Sequence, residues 1–259
     1  MKSNIFALIV IYNKNCNDSI SYCCLKNIKG LNIIVCDNSI SDYRNKDIVS
    51  ADDNIYINME GNKGLSKAYN KAITHLKNEI GVVCLFDDDT EIPVEYFNEL
   101  RSLIKNQEWD ICLPKVYYEK GMMSPVQLKR YAVKKVNKVE EINTKYIAGI
   151  NSGMVVKLTL YENYKYDENL FLDFVDYKFI MDMRKKNVKI IVMKTKLKQL
   201  FSKDDNDKNS SKIRYNIKKT DLKYFYRSNF VSKLYCTYLL MKLKVGLVIK
   251  FKDLKVLGW

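Results

Sequence analysis

Val82-Val83-Cys84-Leu85-Phe86-Asp87-Asp88-Asp89 reads as a buried strand that ends abruptly in three carboxylates. Five apolar residues in a row suit a parallel strand covered on both faces. Three adjacent acids repel one another unless water or a cation screens them. Ligands of open α/β sheets gather at the carboxyl ends of strands. A divalent cation holding a phosphate is one tenant such an end would suit, and a solvated acidic turn is the other reading.

On either side of this stretch, apolar periodicity predicts strand 5–11, a helix near 18–28, strands 31–36 and 54–58, helix 65–77, strand 81–86 and helix 93–105. Strands near 110–114 and 146–150 follow, with a polar, mixed loop region between about 117 and 146 around Gly121-Met122-Met123-Ser124-Pro125. Residues 171–186 read as a loop entering a helix, and 188–193 as a further strand. Alternating strands and helices are the signature of a mostly parallel α/β sheet flanked by helices. The breaker Lys203-Asp204-Asp205-Asn206-Asp207 then divides an α/β domain, 1–203, from a basic, aromatic-rich helical C-terminal region, 204–259.

The 259 residues are 47% hydrophobic with only 3 prolines, which argues for a folded chain. Seven cysteines form no CxxC pair. Cys36 and Cys84 fall inside apolar runs, where cysteine behaves as a small hydrophobe. An odd cysteine count without a secretion signal points to a reducing cytoplasm, and no window is apolar enough to span a bilayer. The charge is uneven: 21 Lys and Arg against 5 Asp and Glu from Arg184 to Trp259 give +16 there, in a chain whose total is +14. Such a tail implies an anionic partner, nucleic acid or a membrane surface.

Several short patterns stand in order along the chain. Ile9-Val10-Ile11-Tyr12-Asn13 closes the first strand and Val35-Cys36-Asp37-Asn38-Ser39 the second. Asn62-Lys63-Gly64-Leu65-Ser66-Lys67-Ala68-Tyr69-Asn70 opens a helix, followed by Asp87-Asp88-Asp89 and later Ser152-Gly153-Met154. In order and spacing these resemble the family 2 glycosyltransferases of GT-A fold, particularly bacterial rhamnosyl- and galactofuranosyl-transferases, over roughly residues 4–200.

The resemblance implies a UDP- or dTDP-sugar donor. It gives Asp37 the N3–H of a uracil or thymine ring, Tyr12 a part of the base pocket and Asn13 a place among the nucleotide-sugar-binding residues; a plain Asp-Asn-Ser turn is the other reading of 37–39, and packing at the strand end that of Tyr12. Asn62 and Gly64 would meet the nucleotide-sugar, where Gly64 permits backbone approach and the helix N-terminus offers N–H groups; simple helix capping also suits Asn62. Asp87 and Asp88 would face the donor, and Asp89 would contact Mg²⁺ or Mn²⁺. In Phe171-Leu172-Asp173-Phe174-Val175-Asp176-Tyr177, Asp176 is expected as the catalytic base of an inverting transfer, with Asp173 in reserve. Two departures stand out: Lys178 and Asp182 occupy places where relatives carry Glu and Arg, with Arg184 near enough to substitute. The segment Leu197-Lys198-Gln199-Leu200-Phe201 also lacks the His that many relatives supply to the metal.

The lysines and aromatics between Tyr224 and Lys255 suit a helix lying on an anionic membrane interface or one packed on the catalytic domain. Nucleic acid is not expected, because no recognisable binding motif accompanies the charge. The reading is therefore a glycosyltransferase extending a glycan or glycolipid of a bacterial surface polysaccharide, cytoplasmic and peripheral at the inner membrane face. A non-catalytic glycosyltransferase-like subunit is the alternative. Nucleotidyl transfer is disfavoured, since Asn13-Lys14-Asn15-Cys16 is not a Gly-rich basic loop.

Overall fold

Strand β1 (Asn4–Ile11) runs through the centre of the computed structural model, which describes residues 4–119, 121–129, 132–136, 138–200 and 207–259. Around it come α1 (Ile20–Leu25), β2 (Asn32–Asp37), α2 (Asn45–Ala51), β3 (Ile55–Asn58), α3 (Leu65–His75) and β4 (Gly81–Phe86). Then follow β5 (Thr90–Glu91), α4 (Val94–Asn106), β6 (Ile111–Tyr118), β7 (Gly121–Ser124), β8 (Val126–Lys129), β9 (Ala132–Lys134), β10 (Ile147–Ala148) and β11 (Met154–Lys157). The chain ends with α5 (Val175–Lys185), β12 (Ile190–Gln199), α6 (Lys208–Phe225) and α7 (Phe230–Phe251).

The main sheet has the order β3-β2-β1-β4-β11-β6-β12-β5, with β7 paired to β6. Strands β3, β2, β1 and β4 are parallel, β11 is inserted antiparallel between β4 and β6, and β12 is parallel to β6. Register decides where the acids emerge. Ile11 stands beside Asp37, and Ile9 beside Phe86, so Asp37 and the Asp87-Asp88-Asp89 run leave the sheet along the same edge. Because β11 is antiparallel, it starts where β4 ends, and Ser152-Gly153 lie beside the acids.

Alternation along the strands sorts the core into two layers, one on each face of the sheet. Phe6, Leu8, Val83 and Leu85 pack with α3 and α5, while Ala7, Ile9, Cys84 and Phe86 pack with α1 and α4. The buried face of α3 is Leu65, Ala68, Tyr69 and Ala72, at helical spacing. Cys36 and Cys84 are buried within these layers, as small hydrophobes should be.

Four elements differ from the sequence reading. Helix α2 was not anticipated: only Asn45 and Val49 of it are buried, too few for a periodic signal. The expected loop region 117–146 contains paired strands, and β10-β8-β9 form a second, three-stranded sheet through Val126 and Leu128, both buried. The strand expected at 146–150 is the two-residue β10 of that small sheet, while the main-sheet strand is β11. The strand expected at 188–193 runs on to Gln199 past an irregularity between Val192 and Lys196. The expected domain boundary at 203/204, Phe201 and most of the breaker lie outside the described residues.

Helix α6 is seated on the α/β body. Buried Asp221 accepts the backbone N–H groups of Phe171, Leu172 and Asp173 at 2.8–2.9 Å. Phe225 stacks on Phe174 with ring centroids 4.7 Å apart, and the Tyr224 hydroxyl donates to Asp167. A small cluster around Leu222, Tyr226 and Cys236 joins α6 to α7.

Candidate active site

The acidic run is held from behind by α1 and from the side by β12. Ser19 Oγ donates to the Asp88 carbonyl at 2.9 Å and Ser21 Oγ to that of Asp87, so α1 fixes the backbone of the turn. Asp87 accepts Ser152 Oγ, and the Gln199 amide donates to both Asp87 (3.2 Å) and Asp89 (3.1 Å). Asp88 turns away to Lys14 Nζ at 2.8 Å. Burial, with the neighbouring acids Asp87 and Asp88 adding repulsion, pushes the Asp89 carboxyl up to about 7; burial likewise raises Asp87. Among the described residues no three His, Cys, Asp or Glu side chains converge as a ready-made metal site. Among the described residues three buried side-chain atoms lack a hydrogen-bond partner: Thr90 Oγ1, next to Asp89, Asn151 Oδ1, next to Ser152, and the Tyr69 hydroxyl, which feels both Asp87 and Asp176.

Asp37 is a structural hub in this state. It is 5% exposed, with Oδ1 accepting Ser39 N–H (2.9 Å) and Oδ2 accepting Asn45 Nδ2 (2.8 Å) and the Tyr56 hydroxyl (3.1 Å). Its neighbour Asn38 accepts from Lys63 N–H and donates to the Gly64 carbonyl, tying the end of β2 to the start of α3. Asn13, with a left-handed φ of 48°, bonds Ser39 and Ile40 and so couples the loops after β1 and β2. Tyr12 is 46% exposed.

Asn62 Oδ1 accepts Gly64 N–H, and Gly64 has φ +86° at the cap of α3. A Cβ there would stand 2.7 Å from both the ring and the carbonyl oxygen of Phe171. The helix N-terminus is accordingly less open than the sequence suggested: Leu65 N–H donates to the Phe171 carbonyl at 2.6 Å, and Ser66 Oγ to that of Leu170. A cavity of about 400 Å³ opens here, lined by Tyr12, Asn62, Gly64, Asp87 and Asp88 together with Arg214 of α6. Of the expected residues, Asn13, Asp37, Asp89, Asp173 and Asp176 are not in its lining.

Asp176 lies in the first turn of α5 after Phe174, whose φ of 66° turns the chain into the helix. Its carboxylate accepts Tyr177 N–H at 2.7 Å. Burial outweighs that bond and, with the charges of Asp87 and Asp173, pushes the carboxyl up to about 7. Asp173 is instead gripped by the Arg214 guanidinium, with Nη2 2.9 Å from Oδ1 and Nη1 on Oδ2. Lys178 and Asp182 pair with each other, one helical turn apart. Arg184 is spent elsewhere: it donates to the Leu128 carbonyl at 2.9 Å and lies over the Tyr146 ring.

The residues that sequence reasoning missed are mostly supports. Ser19, Ser21, Asn45 and Tyr56 carry no local motif, and only the topology brings them to the acids. Arg214 and Asp221 lie within the basic tail, whose charge alone says nothing of which side chain turns inward.

The model of the family described as "Glycosyl transferase family 2" matches residues 7–164, more than half of the chain. No curated protein matches it. Among solved structures, S. aureus TarS 1-349 in complex with UDP-GlcNAc aligns with a TM-score of 0.57 at 15% identity, covering 93% of this chain and 71% of that one. The chain spans only 39% of the longer TarS structure. GalNAc-T7 with UDP, GalNAc and Mn²⁺ aligns at 0.57 and 11% identity over 84% of this chain and 47% of that one. Mannosyl-3-phosphoglycerate synthase from Rubrobacter xylanophilus aligns at 0.55 and 12% over 87% and 75%. At such identities the likeness is one of fold, and that fold is the GT-A sheet the motifs led us to expect.

Proposed function

The chain belongs to glycosyl transferase family 2, and from that premise we propose that it moves a sugar, with inversion, from a UDP- or dTDP-linked donor to a hydroxyl of a growing bacterial surface glycan. The observation that carries this reading is the pairing of two carboxylate environments: the acidic end of β4, and Asp176 raised to about 7 within its electrostatic reach. A carboxyl titrating there is deprotonated in a useful fraction at neutral pH and still basic enough to take a hydroxyl proton. Asp176 accepts that proton as the acceptor oxygen bonds to the anomeric carbon and the bond to the diphosphate breaks.

The remaining roles are those the family resemblance implies, and of their residues Tyr12, Asn62, Gly64, Asp87 and Asp88 line the cavity. Asp37 has one lone pair left on Oδ1 for a pyrimidine N3–H, with Tyr12 and Asn13 at the base. Asn62, Gly64, Asp87 and Asp88 flank the sugar-diphosphate. The acidic run fits a cation that brings most of its own ligands: burial and neighbouring acids raise the Asp89 carboxyl, and Asn151, the residue before the Ser152 that bonds Asp87, carries an unpartnered Oδ1. Mg²⁺ or Mn²⁺ held by Asp89 would neutralise charge on the leaving diphosphate.

In this reading the acceptor lies at the cytoplasmic face of a membrane, and the composition of α7 supports that location. None of its 22 residues is acidic, and Lys233, Lys242, Lys244 and Lys250 accompany an exposed apolar stripe of Phe230, Leu234, Tyr238, Met241, Val245 and Ile249. Spacings of three and four keep that stripe on one face for about 28 Å. No described helix is long and apolar enough to cross a bilayer, so α7 would lie on an anionic surface, where a lipid-linked glycan is presented.

Incubation with UDP- and dTDP-sugars and membrane-extracted acceptors, read as nucleoside diphosphate release, tests the reaction. Asp176→Asn should lower the rate by roughly 10²–10⁴-fold. The alternative, a non-catalytic partner subunit, draws on the Gln199 amide that bridges Asp87 and Asp89. Undiminished function with Asp89 and Asp176 both replaced by Asn would favour it.

A further inference from the structure

Helix α6 roofs the cavity, and one stripe of it faces in. Ser210, Ile213, Arg214 and Ile217 line the cavity together with Asn62, Gly64, Asp87 and Asp88. Their spacing is that of a single helical face. Ile213 is 64% exposed although it lines the cavity, an apolar side chain that a bound ring or sugar would cover. Arg214 is the one cation among the described residues that line the cavity. Lys14, the other cation beside the acids, is paired with Asp88.

For a nucleoside diphosphate the acidic side of the cavity has the wrong sign unless a cation joins the ligand. Asp87 and Asp88 repel phosphate, and a metal at Asp89 would answer only part of that charge. A guanidinium is the side chain whose planar fork matches phosphate oxygens in pairs. Arg214 already presents that fork to a two-oxygen anion, the Asp173 carboxylate. Exchange of one anion for the other would not strand Asp173, because Lys218 Nζ, one turn further along α6, stands 3.7 Å from its Oδ1.

Resting on the nucleotide-sugar reading of this site, we propose that Arg214 is a donor-binding residue that receives the diphosphate, and that Asp173 holds its guanidinium at the cavity while the donor is absent. Helix α6 is thereby a wall of the donor site and not an appendage. Its seat does not depend on Arg214, since Asp221, Tyr224 and Phe225 anchor it further along. Asp173, committed to this pair, is then a positioning residue, which leaves Asp176 as the base.

Calorimetric titration of the full chain in Mg²⁺ with UDP and UMP, and with dTDP and dTMP, tests this. Arg214→Met should weaken diphosphate binding about ten- to a hundred-fold, with the monophosphate affected much less, so that the preference for diphosphate collapses. Arg214→Lys should recover part of the loss, and Asp173→Asn should bind the diphosphate at least as tightly as the native chain. Diphosphate affinity within twofold of native in Arg214→Met overturns the proposal while leaving the site itself standing. Should that variant fail to fold, native affinity in Arg214→Lys, or weakened affinity in Asp173→Asn, overturns it equally. A native chain that binds none of these nucleotides refutes the donor site, and this proposal with it.

Discussion

Asp176, the base of the proposed reaction, is where that chemistry and the stability of this protein would pull against each other. Its carboxyl ordinarily titrates near 3.8 and is pushed up to about 7 in the fold, so the folded chain holds that proton more tightly than the unfolded one. The stabilising contribution is complete below pH 3.8 and is lost as the pH climbs from there through 7. Asn cannot ionise, so Asp176→Asn should melt above the native chain by about 2–6 °C at pH 8, with a smaller advantage at pH 5, while losing activity. Thermal denaturation at the two pH values checks this, and an advantage that shrinks toward pH 8 would contradict it. The native rate should in turn rise with pH through about 7 as Asp176 loses its proton. The aspartate was legible in the sequence as part of an aromatic–Asp–x–x–Asp segment. Its environment was not, because the burial that raises it most and the charge of Asp87 come only with the fold. Asp37 makes the same point: its partners Asn45 and Tyr56 are 8 and 19 positions away, with no pattern joining them to it.

Among the elements, the junction of α3 with the 171–173 loop is where the site can be broken without touching an acid. Gly64→Ala adds a Cβ 2.7 Å from the Phe171 carbonyl at a positive φ. The cost should be roughly 1–3 kcal/mol in denaturant unfolding, together with weaker donor binding. A neutral result would mean that the loop yields freely. Asp221→Ala removes the acceptor of three consecutive backbone N–H groups and should cost about 3 kcal/mol by the same measurement. The parallel strands and the helices between them could be read from apolar period, since each is bounded by turn residues. Strand β11 could not: its apolar run is only Met154, Val155 and Val156, too short to mark a strand, and its antiparallel insertion is a matter of topology. The small sheet β10-β8-β9 was missed because its strands are two to four residues long and their pairing is set across the fold.

The chain as a body joins a near-neutral catalytic layer to a basic, apolar-faced tail. That division was visible in the charge count, whereas the partition of the tail was not: α6 turns inward to the cavity and α7 outward. Replacing Leu234, Met241 and Val245 of α7 with Glu should abolish sedimentation with anionic phospholipid vesicles while leaving transfer to a soluble acceptor intact. Undiminished sedimentation would remove α7 from the membrane surface. Beneath all of this lies the claim that the edge where Asp37, Gly64 and Asp87 meet is a nucleotide-sugar site. The melting temperature of the full chain, recorded against UDP-, dTDP- and GDP-sugars with and without Mn²⁺, addresses it, because a ligand that binds only the native state raises that temperature by mass action. A Mn²⁺-dependent rise with one UDP- or dTDP-sugar is the predicted result, and an intact melting transition that no nucleotide-sugar moves would contradict it.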